Sequence, residues 1–175
     1  PLEEGLTFVH DILRGFNLRK EIRVICSGKV MTGFNLFSRM ALGADLCNSA
    51  RGMMLALGGI QARRCNTNHC PTGVATSDKS LVYVLDPADK KARIFNFHKH
   101  TVHAFADLLG ASGLRESQQI QRRHVHRRIS GTTVKSYEEL FPSVRWGSFL
   151  KNEIPAKYQT DWELASSESF QPKSD

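Results

Sequence analysis

Two short runs of β-branched and small residues, each following a segment with helical periodicity, constrain this chain more than any other feature. The first, Ile22-Arg-Val-Ile-Cys-Ser27, stops at Gly28, and the second, Ala44-Asp-Leu-Cys-Asn-Ser49, runs into a loop. Ahead of the first, residues 4–18 place Leu6, Val9, Ile12, Leu13 and Phe16 at helical spacing with charges between them; Asn17, Arg19 and Lys20 suit the helix end. Ahead of the second, Thr32 is placed to cap a helix that buries Leu36, Phe37, Met40 and Ala41 and ends at Gly43. Helix, strand, helix, strand with short connections is a βα alternation. It predicts an α/β fold with parallel strands buried on both faces.

Downstream, residues 51–60 read as a helix broken at the glycine pair Gly58-Gly59, followed by a polar loop to about Lys79. A longer helix is predicted over 91–109, with Ile94, Phe97, Val102, Phe105, Leu108 and Leu109 as its apolar positions and Gly110 and Gly113 at its end. From Leu114 the texture changes. Pro142, Pro155 and Pro172, Trp146 and Trp162, and scattered serines suggest an irregular, extended tail pinned by aromatic anchors. The expected organisation is therefore βα units over 1–113, including a cysteine loop at 59–73, and a C-terminal extension over 114–175.

A chain of 175 residues is long enough for one domain with a core of its own. No apolar run approaches the roughly 20 residues a membrane span needs, and the N-terminus has no basic-then-apolar signal pattern. The opening on Pro1, inside what reads as a helix, suggests a fragment or excised domain. The net charge of +7 is concentrated in Arg122, Arg123, His124, His126, Arg127 and Arg128. Without an RNP-type or zinc-finger-type pattern, that cluster reads as a solvated or phosphate-contacting segment rather than a nucleic-acid surface.

Two strand ends have the composition of an anion site. Ser27-Gly28-Lys29 and Ser49-Ala50-Arg51 each put small residues and a cation directly after a strand. Small side chains let a phosphate approach backbone N–H groups, and Lys29 and Arg51 would neutralise it. A glycine-bearing turn after one strand is usually only a turn. Two consecutive βα units ending this way match the phosphate site that (β/α)8 barrels build after their last two strands.

Four cysteines in a chain this long do not make a disulfide scaffold. Cys26 and Cys47 fall in apolar runs, where small buried thiols are common. Cys65 and Cys70 lie in a polar loop, and Cys65-x4-Cys70-Pro71 suits thiolate ligation of iron–sulfur or zinc, with Pro71 stiffening the loop past the second thiol. His69 or His98 would be available to complete a zinc site, although loop histidines are more often merely solvated. Unpaired ligand-type thiols imply a reducing compartment, and a cytoplasmic location is expected.

Ser27-Gly-Lys29, Cys47-Asn-Ser-Ala-Arg-Gly-Met-Met54 and above all Arg64-Cys-Asn-Thr-Asn-His-Cys-Pro-Thr-Gly-Val-Ala-Thr76 resemble the FMN-domain family of glutamate synthase, nearest its stand-alone, single-domain branch. The similarity continues through Arg127-Arg-Ile-Ser130 and Lys135-Ser-Tyr-Glu-Glu-Leu-Phe-Pro142 and so covers essentially the whole chain. It implies the C-terminal fragment of a (β/α)8 TIM barrel, about two parallel strands with flanking helices, plus the tail. The family binds FMN at the barrel's C-terminal face, with a [3Fe-4S] cluster beside it. It passes electrons to the imine formed from 2-oxoglutarate and ammonia, giving L-glutamate.

By that resemblance Ser27, Gly28 and Lys29 belong to the seventh-strand FMN site, and Ser49, Ala50 and Arg51 to the eighth, which holds the phosphate. Cys65 and Cys70 would be cluster ligands. The family's third cysteine stands six positions before Cys65, where this chain has Gly59. One iron of a three-iron cluster would then lack its thiolate, so poor or absent cluster assembly is expected. Only the last two strands of the barrel would be present, which makes the isolated chain inactive without its N-terminal barrel half, an electron donor and an ammonia source. Two alternatives remain open: a degenerate flavin-binding protein without electron transfer, and a zinc- or nucleic-acid-binding module.

Overall fold

The computed structural model describes residues 1–171; Pro172, counted above among the tail's prolines, lies outside the described residues. Helix α1 (Leu2–Gly15) leads into β1 (Ile25–Ser27), and α2 (Gly33–Ala41) into β2 (Leu46–Asn48). The strands pair in parallel, with Ile25 opposite Leu46, Cys26 opposite Cys47 and Ser27 opposite Asn48. The expected alternation is thus present, with strands shorter than predicted. Thr32 caps α2: its hydroxyl accepts from the N–H of Asn35 at 3.1 Å, and the Asn35 side chain answers the N–H of Thr32 at 3.3 Å.

Burial on both strand faces is not what the structure has. Cys26 is 3% exposed and faces the helices, whereas Ile25 and Leu46, on the opposite side of the pleat, are 56% and 55% exposed. Successive strand residues point to opposite faces, and no described element covers the Ile25–Leu46 face. The helical side is where the core forms. Leu6, Cys26, Phe37, Ala41, Leu42 and Ala44 are packed there with Ile120, Val125 and Tyr137 from the extension.

Helix α3 (Ala50–Ala56) is shorter than its sequence pattern suggested, and the short helix α4 (Lys79–Val82) interrupts the polar loop. Helix α5 (Pro87–Ala111) begins earlier than predicted, because Asp86 accepts from the N–H of Ala88 at 3.0 Å and Pro87 occupies the first turn. It packs on α2 and α3 yet buries no residue fully. A Cβ at Gly33 would lie 2.5 Å from the backbone nitrogen of Phe105, so glycine is what lets α2 approach α5 this closely.

The extension is not irregular. An antiparallel hairpin, β3 (His126–Arg128) and β4 (Val134–Ser136), runs into α6 (Tyr137–Leu140), and α7 (Gln159–Leu164) closes the described chain. Three-residue strands containing His126, Arg127 and Arg128 carry no apolar alternation, so periodicity could not reveal them. The aromatic anchors are present. Trp146 lies under the Arg14 guanidinium and the Lys20 ammonium at 5.1 and 5.5 Å, and Trp162 stacks on Phe16 at 6.0 Å. Among the described residues, no helix is long and apolar enough to cross a membrane.

Candidate functional site

The parallel register brings the two predicted strand ends to the same edge of the sheet, with Ser27 opposite Asn48 and Ser49 next in line. Gly28 turns the chain out of β1 at φ +146°, a conformation L side chains rarely adopt, and Lys29 follows at φ +52°. A non-glycine residue in that left-handed region is uncommon and marks a position where the surrounding structure dictates the backbone. The two loops are joined by one hydrogen bond: Ser49 Oγ donates to the carbonyl of Val30 at 2.5 Å. Ala50 and Arg51 open α3, and Ser27, Lys29, Ala50 and Arg51 are all exposed. Neither Lys29 nor Arg51 forms an ion pair among the described residues. Two cations without an ion pair among the described residues beside two small-residue turns have the composition of an anion site.

The cysteine loop is organised by a residue the sequence reading passed over. Asn68, at φ +63°, accepts through Oδ1 from the N–H of Ser77 at 2.7 Å and from its hydroxyl at 3.0 Å, and through its carbonyl from Thr76 Oγ1 at 2.6 Å. Asparagine's tolerance of left-handed backbone between two ligand-type cysteines was the available signal. Cys70 is buried, and its sulfur sits 3.3 Å from the Thr72 hydroxyl. That hydroxyl, with the backbone N–H groups of Ala75, Thr72 and Val74, holds the Cys70 thiol down to about 7. Hydrogen bonds to the thiolate favour the charged form, the state a metal ligand needs.

The remaining positions do not assemble a three-thiolate site. Cys65 is exposed, and Gly59 contributes no side chain. Among the described residues no group of three or more His, Cys, Asp and Glu side chains could hold a metal ion, so His69 and His98 do not complete a zinc site with the cysteines either. His98 instead lines an open apolar groove with Leu57, Ile94 and Phe95. Cys26 and Cys47 lie side by side between sheet and helices; burial pushes both thiols up, Cys47 to about 11. Neither is a ready thiolate.

The arginine-rich run is partly consumed by the fold. Arg122 is buried against Asp11 at 2.8 Å and Arg127 pairs with Glu3 at 2.7 Å, whereas Arg123 and Arg128 stay exposed. A nucleic-acid surface needs such groups facing solvent.

These features define an α/β unit with small-residue turns and cations at its two strand ends and a thiol-bearing loop after its third helix. A family model described as the conserved region in glutamate synthase matches residues 1–115, about two thirds of the chain. The chain belongs to the glutamate synthase family. It is 34% identical over 135 residues to the glutamate synthase large subunit-like protein YerD of Bacillus subtilis, covering 77% of this chain and 26% of that protein. It is 34% identical over 140 residues to the archaeal glutamate synthase (NADPH) of Methanocaldococcus jannaschii, covering 80% of this chain and 28% of that protein. With the glutamate synthase (NADPH) large chain of Azospirillum brasilense the identity is 32% over 118 residues, 66% of this chain and 8% of the relative. The chain thus spans about a quarter of the length of the first two.

Proposed function

We propose that this chain is the C-terminal part of the FMN-binding (β/α)8 barrel of a glutamate synthase-type oxidoreductase. The observation that carries the reading is the Ser49–Val30 hydrogen bond across parallel strands, which makes one cradle of Ser27-Gly28-Lys29 and Ser49-Ala50-Arg51. The open Ile25–Leu46 face supports it too, because a barrel strand turns that side toward an interior filled by its other strands.

In this reading the N–H groups and small side chains after β1 and β2 orient the FMN phosphate, while Lys29 and Arg51 balance its charge. FMN, when bound, supplies electron transfer to the carbon that becomes the α-carbon of glutamate. The rest of the barrel supplies the 2-oxoglutarate site, and an electron donor and an ammonia source complete the reaction in the cytoplasm. The chain without its barrel half forms no glutamate.

The test is flavin binding by the barrel assembled with this chain, followed by glutamate formation from 2-oxoglutarate, an ammonia source and a reductant. A protein that binds no FMN would overturn the reading.

Gly59 favours a second reading, a flavin protein that has lost the cluster. A Cβ built there would lie 2.9 Å from the Met54 carbonyl oxygen, so the backbone is settled around glycine rather than around a ligand. An absorption spectrum separates the two: flavin bands with a broad iron–sulfur shoulder support the first, and flavin bands alone the second.

A further inference from the structure

The hairpin of the extension, with helices α1 and α2, borders an open cavity of about 370 Å3 that shares no residue with the Ser27–Lys29 and Ser49–Arg51 turns or the cysteine loop. Its size is within the roughly 300–1,000 Å3 typical of small-molecule sites. Arg39 and Ser38 come from α2, Glu3 from α1, and His126, Arg127 and Arg128 from β3. Three arginines therefore line a space that holds a single carboxylate.

The hydrogen bonds leave this site short of acceptors. Glu3 Oε1 accepts from Arg39 Nη1 and Glu3 Oε2 from Arg127 Nη2, both at 2.7 Å. The second hydrogen bond of Arg127 goes to Tyr137 Oη at 3.1 Å. Arg128 is held by the Gly131 carbonyl alone, and its charge has no carboxylate partner among the described residues. Arginine forks match the oxygens of phosphate and carboxylate in direction as well as charge.

We propose that this cavity binds a small, doubly charged oxyanion, either a phosphate monoester or a dicarboxylate. The ligand bridges α2 to β3 and so ties the extension to the βα units. Glu3 competes with it for Arg39 and Arg127, which sets the affinity below what three arginines alone would give.

Calorimetric titration of the 175-residue chain carrying Arg51→Gln, which disables the strand-end phosphate site, with inorganic phosphate, and separately with succinate, tests this at low ionic strength against chloride of matched ionic strength. Saturable one-to-one binding of at least one anion is expected, with about a tenfold loss in Arg128→Gln and a several-fold gain in Glu3→Gln. Tighter phosphate identifies the monoester, and tighter succinate the dicarboxylate. Arg128 is exposed and makes one backbone contact, so its substitution leaves the fold intact and that arm stands by itself. Heats that match chloride, or unchanged affinity in Arg128→Gln, would overturn the proposal.

Discussion

Asp11, completely buried in α1, accepts a hydrogen bond at 2.8 Å from Arg122, 111 positions further along the chain. Its other oxygen accepts from Lys157 Nζ at 3.0 Å and from the Tyr158 hydroxyl at 2.9 Å. Burial, and the charge of Asp11 beside it, push the Tyr158 hydroxyl up, so it remains a donor. One carboxylate in the βα half thus grips the extension at two places. Removing one partner of a buried pair strands the other charge, and Asp11→Asn should cost about 3–5 kcal/mol in urea unfolding. Lys157→Met, which removes the charge of a side chain that is 42% exposed, should cost less than about 1 kcal/mol. Equal losses would show that Arg122 is not the partner that matters.

His10, the residue before Asp11 in α1, makes the fold sensitive to acid. Its Nδ1 accepts from Arg19 Nε at 3.0 Å; burial, with Arg122 and Arg19 nearby, pushes the imidazole down to about 4. The unfolded chain takes up a proton near pH 6.5, and the folded chain does so only near 4. Stability is therefore fully present above pH 6.5 and is lost as pH falls toward 4. Between pH 7 and 5, above the range where carboxylates titrate, the loss should reach about 2 kcal/mol. His10→Gln keeps an acceptor for Arg19 but does not titrate, so its unfolding free energy should be flatter over that interval. Parallel curves for the two proteins would rule His10 out as the cause.

The βα half was legible because its signals are local. Thr32 before an apolar stripe, Gly28 after Cys26-Ser27 and the spacing of Phe37 and Ala41 each depend on neighbours a few residues away. What could not be read depended on distant partners. Asp11 lies among the charges of an amphipathic helix, and nothing nearby distinguishes it from a solvated acid; Val9, by contrast, fits the apolar stripe but is 44% exposed. Arg122 is likewise lost among its basic neighbours. The small residues and cations at the two strand ends were visible in composition, but the Ser49–Val30 hydrogen bond that joins them required the strand register.

The cradle predicts discrimination between flavins. If Arg51 and Lys29 contact a phosphate, Arg51→Gln in the assembled barrel should weaken FMN by about tenfold and leave riboflavin, which has no phosphate, nearly unchanged. Ser49→Ala removes the bond to the Val30 carbonyl and should weaken FMN less, through loosened loops rather than lost charge. Fluorescence quenching of the two flavins measures both ratios. An equal loss for FMN and riboflavin would remove Arg51 from the phosphate site.

Gly59 predicts a trade between iron and stability. After anaerobic reconstitution, the assembled protein with Gly59 should hold far less iron and sulfide than a three-iron cluster requires, because only Cys65 and Cys70 present thiols in the loop. Cys70 is the better prepared of the two, with Thr72 and three N–H groups around its sulfur. Gly59→Cys supplies a third thiol but sets its Cβ 2.9 Å from the Met54 carbonyl oxygen, where the N–H of Gly59 also bonds at 2.9 Å. Backbone at that distance cannot swing away as a side chain would, so the end of α3 has to shift. The apo variant should lose about 1–3 kcal/mol, a cost typical of overpacking, and metal binding should restore stability as iron content rises. Full iron occupancy with Gly59 in place would show that a ligand from elsewhere completes the cluster, and that the loss of electron transfer inferred from this position is wrong.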